Sequence, residues 1–218
     1  SVTRPYFTTQ YTNGPLTALA NGAEGGNGVY KYGPTNTFPT DTYKASNYWV
    51  DVVFTPSNSI WDNTAVPAVQ SYPDPKPVTL GVKFKATTTG TITGIRFYKS
   101  AQDTGTHIGS LWSSDGQLLS SATFTNETES GWQQVRLSTP VNVTANTTYI
   151  ASYHTTSGYW SVTRPYFTTQ YTNGPLTALA NGAEGGNGVY NYSATNGFPI
   201  LTYQSSNYWV DVVFATPQ

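Results

Sequence analysis

His154, Tyr159, Trp160, Arg164 and Tyr166 fall within a short stretch around an expected hairpin turn at Thr155 to Gly158, and Trp112 is placed to join them. An aromatic ring offers an apolar platform to the C–H face of a sugar, and Arg or His beside it supplies hydrogen bonds to hydroxyls. These six residues are the candidate ligand site, and glycans are the candidate ligand. The competing reading is purely structural. Alternation turns about half of any strand inward, so most of the six tryptophans of an all-β chain belong to the core.

Hard oxygen donors suggest calcium as the candidate cofactor. Asp103 precedes Gly105, and Asn181, Glu184 and Asn187 punctuate the loop ANGAEGGNG. No Asp-x-Asp-x-Asp-Gly loop occurs, and the alternative is glycine-rich loop geometry with no ion. His107 and His154 could share a zinc ion, but the sequence places no third ligand, and the simpler expectation is two strand-end histidines bonded to loops. The chain has no Cys, which removes thiolate catalysis and disulfides. A Gly-x-Ser-x-Gly elbow is missing too. Asp103, Asp115, Glu127, Glu129, Glu184 and Asp211 single out no pair for glycoside cleavage, and Glu127 and Glu129 read as solvated charges of a polar turn. No catalytic residue is therefore assigned and no enzyme is expected. Ten Lys and Arg against eleven Asp and Glu give a net charge of −1, with no handle for nucleic acid. No apolar run approaches the roughly 20 residues of a membrane helix, so neither nucleic acid nor membrane insertion is expected.

The elements that must position these residues read as short strands. VTLGVKF, TITGIRFY, HIGSLW, QLLSSATF, WQQVRL, TTYIASYH and YWSVTR are rich in β-branched and aromatic residues and are separated by turns. The last strand, Asn207 to Phe214, is apolar on both faces, which predicts a central place in its sheet and a partner for Asp211. Pro175 to Gly182 is the one helical candidate, with Pro at its start and Gly at its end. The expected fold is all-β: an antiparallel β-sandwich, jelly-roll-like, with at most one short helix.

Ser1 to Tyr30 recurs letter for letter at Ser161 to Tyr190. Through Phe54 and Phe214 the two copies differ only at positions 31, 33, 34, 37, 40, 41, 44 and 45, so 46 of 54 residues match. The segment between them occurs once. The repeating unit is about 160 residues, a whole domain rather than a solenoid turn. Residues 1–54 then read as the C-terminal part of a preceding repeat or a donor segment. Residues 55–72 read as a linker with a first short strand at Ile60 and Trp61, and 73–218 as one complete repeat. Left without the strands that cover it, the Ser1 to Phe54 segment would expose Tyr48, Trp49, Val50, Val52 and Phe54, the candidate assembly surface toward neighbouring repeats or other copies of the chain. With no Met, Ser1 is read as a processed end or an internal position of a longer chain.

GVKF, TGIRFYKS, GTHIGSLWSSDGQLLSSATF, GWQQV and NTTYIASYH, followed by NGPLTAL, GGNGVY and SNYWVDVVF, form an ordered set. In it the chain resembles a bacterial extracellular family catalogued only as a domain of unknown function. The resemblance spans about Ser59 to Ala215, and Ser1 to Phe54 matches its last third. It implies a secreted or cell-surface module, used in tandem or beside carbohydrate-active enzymes, that projects along a stalk or fibre and binds carbohydrate. Two alternatives stand: a purely structural fibre subunit that polymerises by strand exchange, and an accessory module of a secreted glycoside hydrolase.

Overall fold

The structure is a computed structural model that describes residues 1–14, 16–52 and 57–216. Phe54, counted above among the assembly residues, lies outside the described residues. The chain divides into two compact units, Ser1–Phe54 and Thr55–Gln218. Among the described residues there is no helix, and every strand ladder is antiparallel.

Unit 1 holds four short strands, β1 (Tyr11–Asn13), β2 (Leu16–Ala18), β3 (Val29–Tyr30) and β4 (Asp41–Thr42), paired as two hairpins. Unit 2 continues with β5 (Ser57–Asn58), β6 (Val78–Ala86), β7 (Gly90–Lys99), β8 (His107–Ser113), β9 (Leu118–Thr123), β10 (Gly131–Val143) and β11 (Thr148–Thr155). It ends with β12 (Tyr171–Asn173), β13 (Leu176–Ala178), β14 (Val189–Tyr192), β15 (Leu201–Thr202) and β16 (Val210–Ala215). One sheet of unit 2 runs β10-β7-β16-β5. The other runs β12-β13-β6-β11-β8-β9, with β14 also on β6 and β15 beyond it. Alternation aims Val78, Leu80, Val82 and Phe84 of β6 at Ile92, Ile95 and Phe97 of β7 and at Val210, Val212 and Phe214 of β16, all in one buried cluster. The result is a β-sandwich.

β16 is central, as its two apolar faces predicted, between β7 and β5. Its Asp211 is fully buried and is answered by Arg96, 3.3 Å away, and by the backbone N–H groups of Ile60 and Trp61 at 2.6 and 3.2 Å. Burial pushes the Asp211 carboxyl up to about 6, against the pull of Arg96 and the amides. Arg96 and the amides of Ile60, Trp61 and Val212 favour its ionised form.

Three expectations are corrected. Pro175 to Gly182 is not a helix: Gly174 and Pro175 form the two-residue turn of the β12–β13 hairpin, with Gly174 at φ 53°, and Leu176–Ala178 pairs with β6. Tertiary pairing overrides the local cap signals. Ile60 and Trp61 form no strand; the short strand is Ser57–Asn58 just ahead of them, and both side chains belong to the core. Tyr159 to Arg164 forms only isolated bridges, Val162 with Val69 and Thr163 with Asn207.

An aromatic groove as candidate functional site

The chain from Tyr72 to Pro77 is laid along Trp160 by backbone bonds. The Tyr72 N–H donates to the Trp160 carbonyl at 2.8 Å, and the Tyr159 N–H donates to the Asp74 carbonyl at 2.8 Å. Gly158, at φ 72°, is required for this approach, since a Cβ there would stand 2.1 Å from the Asp74 carbonyl oxygen. Tyr72 consequently stacks on Trp160 with centroids 4.4 Å apart and planes at 25°, while Tyr208 meets Trp160 edge-on at 5.3 Å. Val78 and Leu80 of β6 and Tyr190 of β14 close the base of a cavity of about 210 Å³.

Over this floor lies a cation. The Arg164 guanidinium sits 4.6 Å from the Tyr72 ring centroid and 5.2 Å from that of Tyr203. Each contact is a cation–π attraction that holds the planar fork in place while leaving N–H groups to donate. Tyr192 and Tyr203 form an exposed rim. The Tyr192 hydroxyl donates to Asp74 Oδ2. Burial and that hydrogen bond push the Tyr192 hydroxyl well above its ordinary value, and burial pushes Tyr208 up to about 12, so both stay protonated donors. The groove thus gathers flat apolar rings, a fixed guanidinium, tyrosine hydroxyls and one carboxylate, whose Oδ2 already accepts from Tyr192 and whose Oδ1 accepts from the Lys76 N–H at 3.2 Å.

Of the six sequence candidates, Trp160 and Arg164 meet in this groove, Trp160 as its buried floor. Tyr159 supports it through its backbone. The other three lie elsewhere. Trp112 is buried in a separate small cluster with Ile150, Val189 and Phe198, its Nε1 donating to Ser152 Oγ at 2.8 Å. His154 is buried at β11, with Nδ1 3.1 Å from Thr79 Oγ1, and burial lowers its pKa. Tyr166 packs among Trp61, Tyr171 and Trp209. Sequence reasoning missed Tyr72, Asp74, Tyr190, Tyr192, Tyr203 and Tyr208, which come from three separated segments. For the four tyrosines of 161–214 the available signal was the tyrosine spacing of the repeat; Tyr72 and Asp74 lie in the segment that occurs once and carried no such signal.

The candidate calcium ligands do not converge. Asp103 stands at the Thr155 end of β11 and Glu184 at the Thr148 end, about 23 Å apart at strand spacing. Asp103 is fully buried, its Oδ1 accepting from Thr155 Oγ1 at 2.6 Å and Ser157 Oγ at 2.8 Å. Glu184 pairs with Lys85 and accepts from Thr148 Oγ1 at 2.5 Å. Asn181 Oδ1 accepts from the Asn187 N–H, and Asn187 clasps β6 through Lys83, its Oδ1 accepting at 2.8 Å and its Nδ2 donating at 3.1 Å. Among the described residues no three acidic, His or Cys side chains gather as a metal site. Glu127 is not a solvated turn charge as expected: it is largely buried, 2.9 Å from both Lys99 and His107.

Unit 1 repeats one wall of the groove. Arg4 lies 5.0 Å from the Tyr43 ring, and Tyr30, Tyr32 and Tyr48 gather beside Lys31 around a wider cavity of about 500 Å³. A family model described as a domain of unknown function, DUF4082, matches residues 1–50 and 64–210. The chain belongs to this family. No curated protein matches the chain. The DUF4082 match spans both the groove-bearing segments of unit 2 and their counterparts in unit 1.

Proposed function

We propose that this DUF4082 chain is a non-catalytic, carbohydrate-binding module of a secreted or cell-surface protein, used in tandem copies along a stalk or fibre. The observation that carries the reading is the Arg164 guanidinium fixed against the Tyr72 and Tyr203 rings beside the Tyr192–Asp74 pair. A sugar ring needs an apolar face to stack on and a small set of oriented donors and acceptors at its edge; the half-exposed Tyr192 and Tyr203 rings of the rim are the candidates for the first, and the Arg164 N–H groups beside them for the second. Its volume suits a single ring, below the roughly 300 Å³ at which pockets for larger ligands begin. Asp74 is the only carboxylate among the lining residues, whereas glycoside cleavage uses two flanking the scissile bond.

A second observation favours the ligand reading. All eight differences between the copies fall between positions 31 and 45, the stretch that includes Lys31 and Tyr43 of the cavity in unit 1. Lys31 stands where unit 2 has Asn191, so the copies vary in charge beside the tyrosine cluster.

The test is a glycan array spanning neutral and acidic oligosaccharides, read with the 218-residue chain and a Tyr192→Ala/Tyr203→Ala variant. Both rings are about half exposed, so the variant keeps the fold. The expected outcome is binding to at least one glycan class, weakened about tenfold or more in the variant, the scale of one lost aromatic or cation–π contact. A wild-type chain that binds no glycan, or a variant that binds equally well, defeats the proposal.

A further inference from the structure

Unit 1 keeps the local skeleton of residues 161–214. Thr3 bridges Asn47 as Thr163 bridges Asn207, β1–β2 keeps the register of β12–β13, and β3–β4 that of β14–β15. Trp49 and Trp209 share the same left-handed φ of 57°, and each donates its Nε1 to the equivalent Thr hydroxyl. The skeleton therefore forms in both units.

What differs is cover. Trp49, Val50 and Val52 are 57, 88 and 64% exposed, whereas Trp209, Val210 and Val212 are 4, 0 and 0% exposed. Val29 is 43% exposed and its counterpart Val189 only 1%. A further cavity of unit 1, about 380 Å³, is lined by Phe7, Leu19, Asn27 and Val50 among others. The matching residues of unit 2 grip β6. There the Leu179 N–H donates to the Lys83 carbonyl at 3.1 Å, and Asn187 bonds both the N–H and the carbonyl of Lys83. In unit 1, Asn27 is already set in the same pose, its Nδ2 donating to the Leu19 carbonyl and its Oδ1 accepting from Gly28. The cavity's lining includes Thr17, Ala18, Leu19 and Asn27, whose counterparts in unit 2 all bond β6.

Nothing buried has changed between the copies. The counterparts of the eight differing positions, Asn191, Ser193, Ala194, Gly197, Ile200, Leu201, Gln204 and Ser205, are all exposed or half-buried in unit 2. Every fully buried side chain of 161–214 thus recurs in unit 1.

We infer that the exposed face of unit 1 is a docking surface for the front half of a second copy of this domain, the segment corresponding to Ser57–Thr155. The β6 edge of that segment would fill the slot beside Asn27, and Val50–Val52 would add to its sheet as β16 adds to β7. The same seating would give the Arg4 tyrosine cluster its missing wall, the counterpart of Tyr72 and Asp74. The docking does not depend on any sugar being bound.

The experiment keeps the full chain and places one extra copy of residues 55–160 ahead of Ser1, so that unit 1 has a front half to accept. Amide hydrogen exchange of Val50–Val52 is read in the parent and extended chains, with Val210–Val212 as the internal standard. The expected result is fast exchange in the parent and slowing of about a hundredfold or more in the extended chain. Val50→Asp should abolish the slowing in the extended chain while leaving the parent's melting unchanged, because Val50 is exposed there. Amides that stay fast in the extended chain, or protection that survives Val50→Asp, overturn the inference.

Discussion

His107 is held between two carboxylates in a site closed to water. Its Nδ1 is 2.9 Å from Glu127, and its Nε2 is 2.9 Å from Asp103 Oδ1. Burial works to lower its pKa, but the bonds and charges of Asp103 and Glu127 outweigh it, and the net direction is up from 6.5. A base whose folded pKa is raised contributes its stability in full below the unfolded value and loses it as pH climbs through the folded one. Melting temperature should therefore fall on the alkaline side of pH 6.5 and fall less steeply in His107→Gln. Thermal melts of both proteins from pH 6.5 to 9 measure the difference, and parallel curves would remove His107 from the account. The sequence reading of a strand-end histidine bonded to a loop holds for His107, which opens β8, but the two carboxylates it meets were not both legible. Asp103 four positions ahead was visible as an oxygen donor, but Glu127 comes from beyond β9, and no spacing rule joins it to a histidine twenty residues earlier.

At the scale of elements, the strands from Val78 to Thr155 could be read because β-branched and aromatic residues alternate there over long runs. β13 could not, since Pro and Gly on either side imitate helix caps and only the edge of β6 makes Leu176–Ala178 a strand. The groove was half legible for a similar reason. Trp160 and Arg164 are neighbours in sequence, whereas Tyr72, Tyr192 and Tyr203 arrive on separate segments. Glycines show the same dependence on neighbours. Gly188 has φ 73°, and a Cβ there would meet the Ser206 carbonyl oxygen at 1.7 Å, while Gly131 has φ 92° with open space around it. Gly131→Ala should cost about 1 kcal/mol, the strain of a left-handed alanine alone. Gly188→Ala must also displace the Ser206 turn and should cost several times more. Urea melts of the two variants decide this, and equal costs would mean the turn yields freely.

For the whole molecule, the repeat was fully legible because the copies are nearly identical. The covering of one copy and exposure of the other was not, because it depends on tertiary partners. The count of parts also sets a limit on assembly. Each chain carries one front half and two equivalent back segments, so exchange among copies of this chain covers one face only by uncovering an identical one. In a pure sample of the 218-residue chain, such exchange alone gives no net gain in covered apolar surface. The groove of unit 2, by contrast, is complete within one chain. The most direct measurement is an NMR titration of the 218-residue chain, with tyrosine rings and arginine side chains isotopically labelled, against the strongest oligosaccharide from the array. The expected result is saturable shifts at Tyr72, Tyr192, Tyr203 and Arg164, with Tyr166 unmoved. Shifts confined to other surfaces, or none at saturating sugar, would contradict a carbohydrate-binding groove.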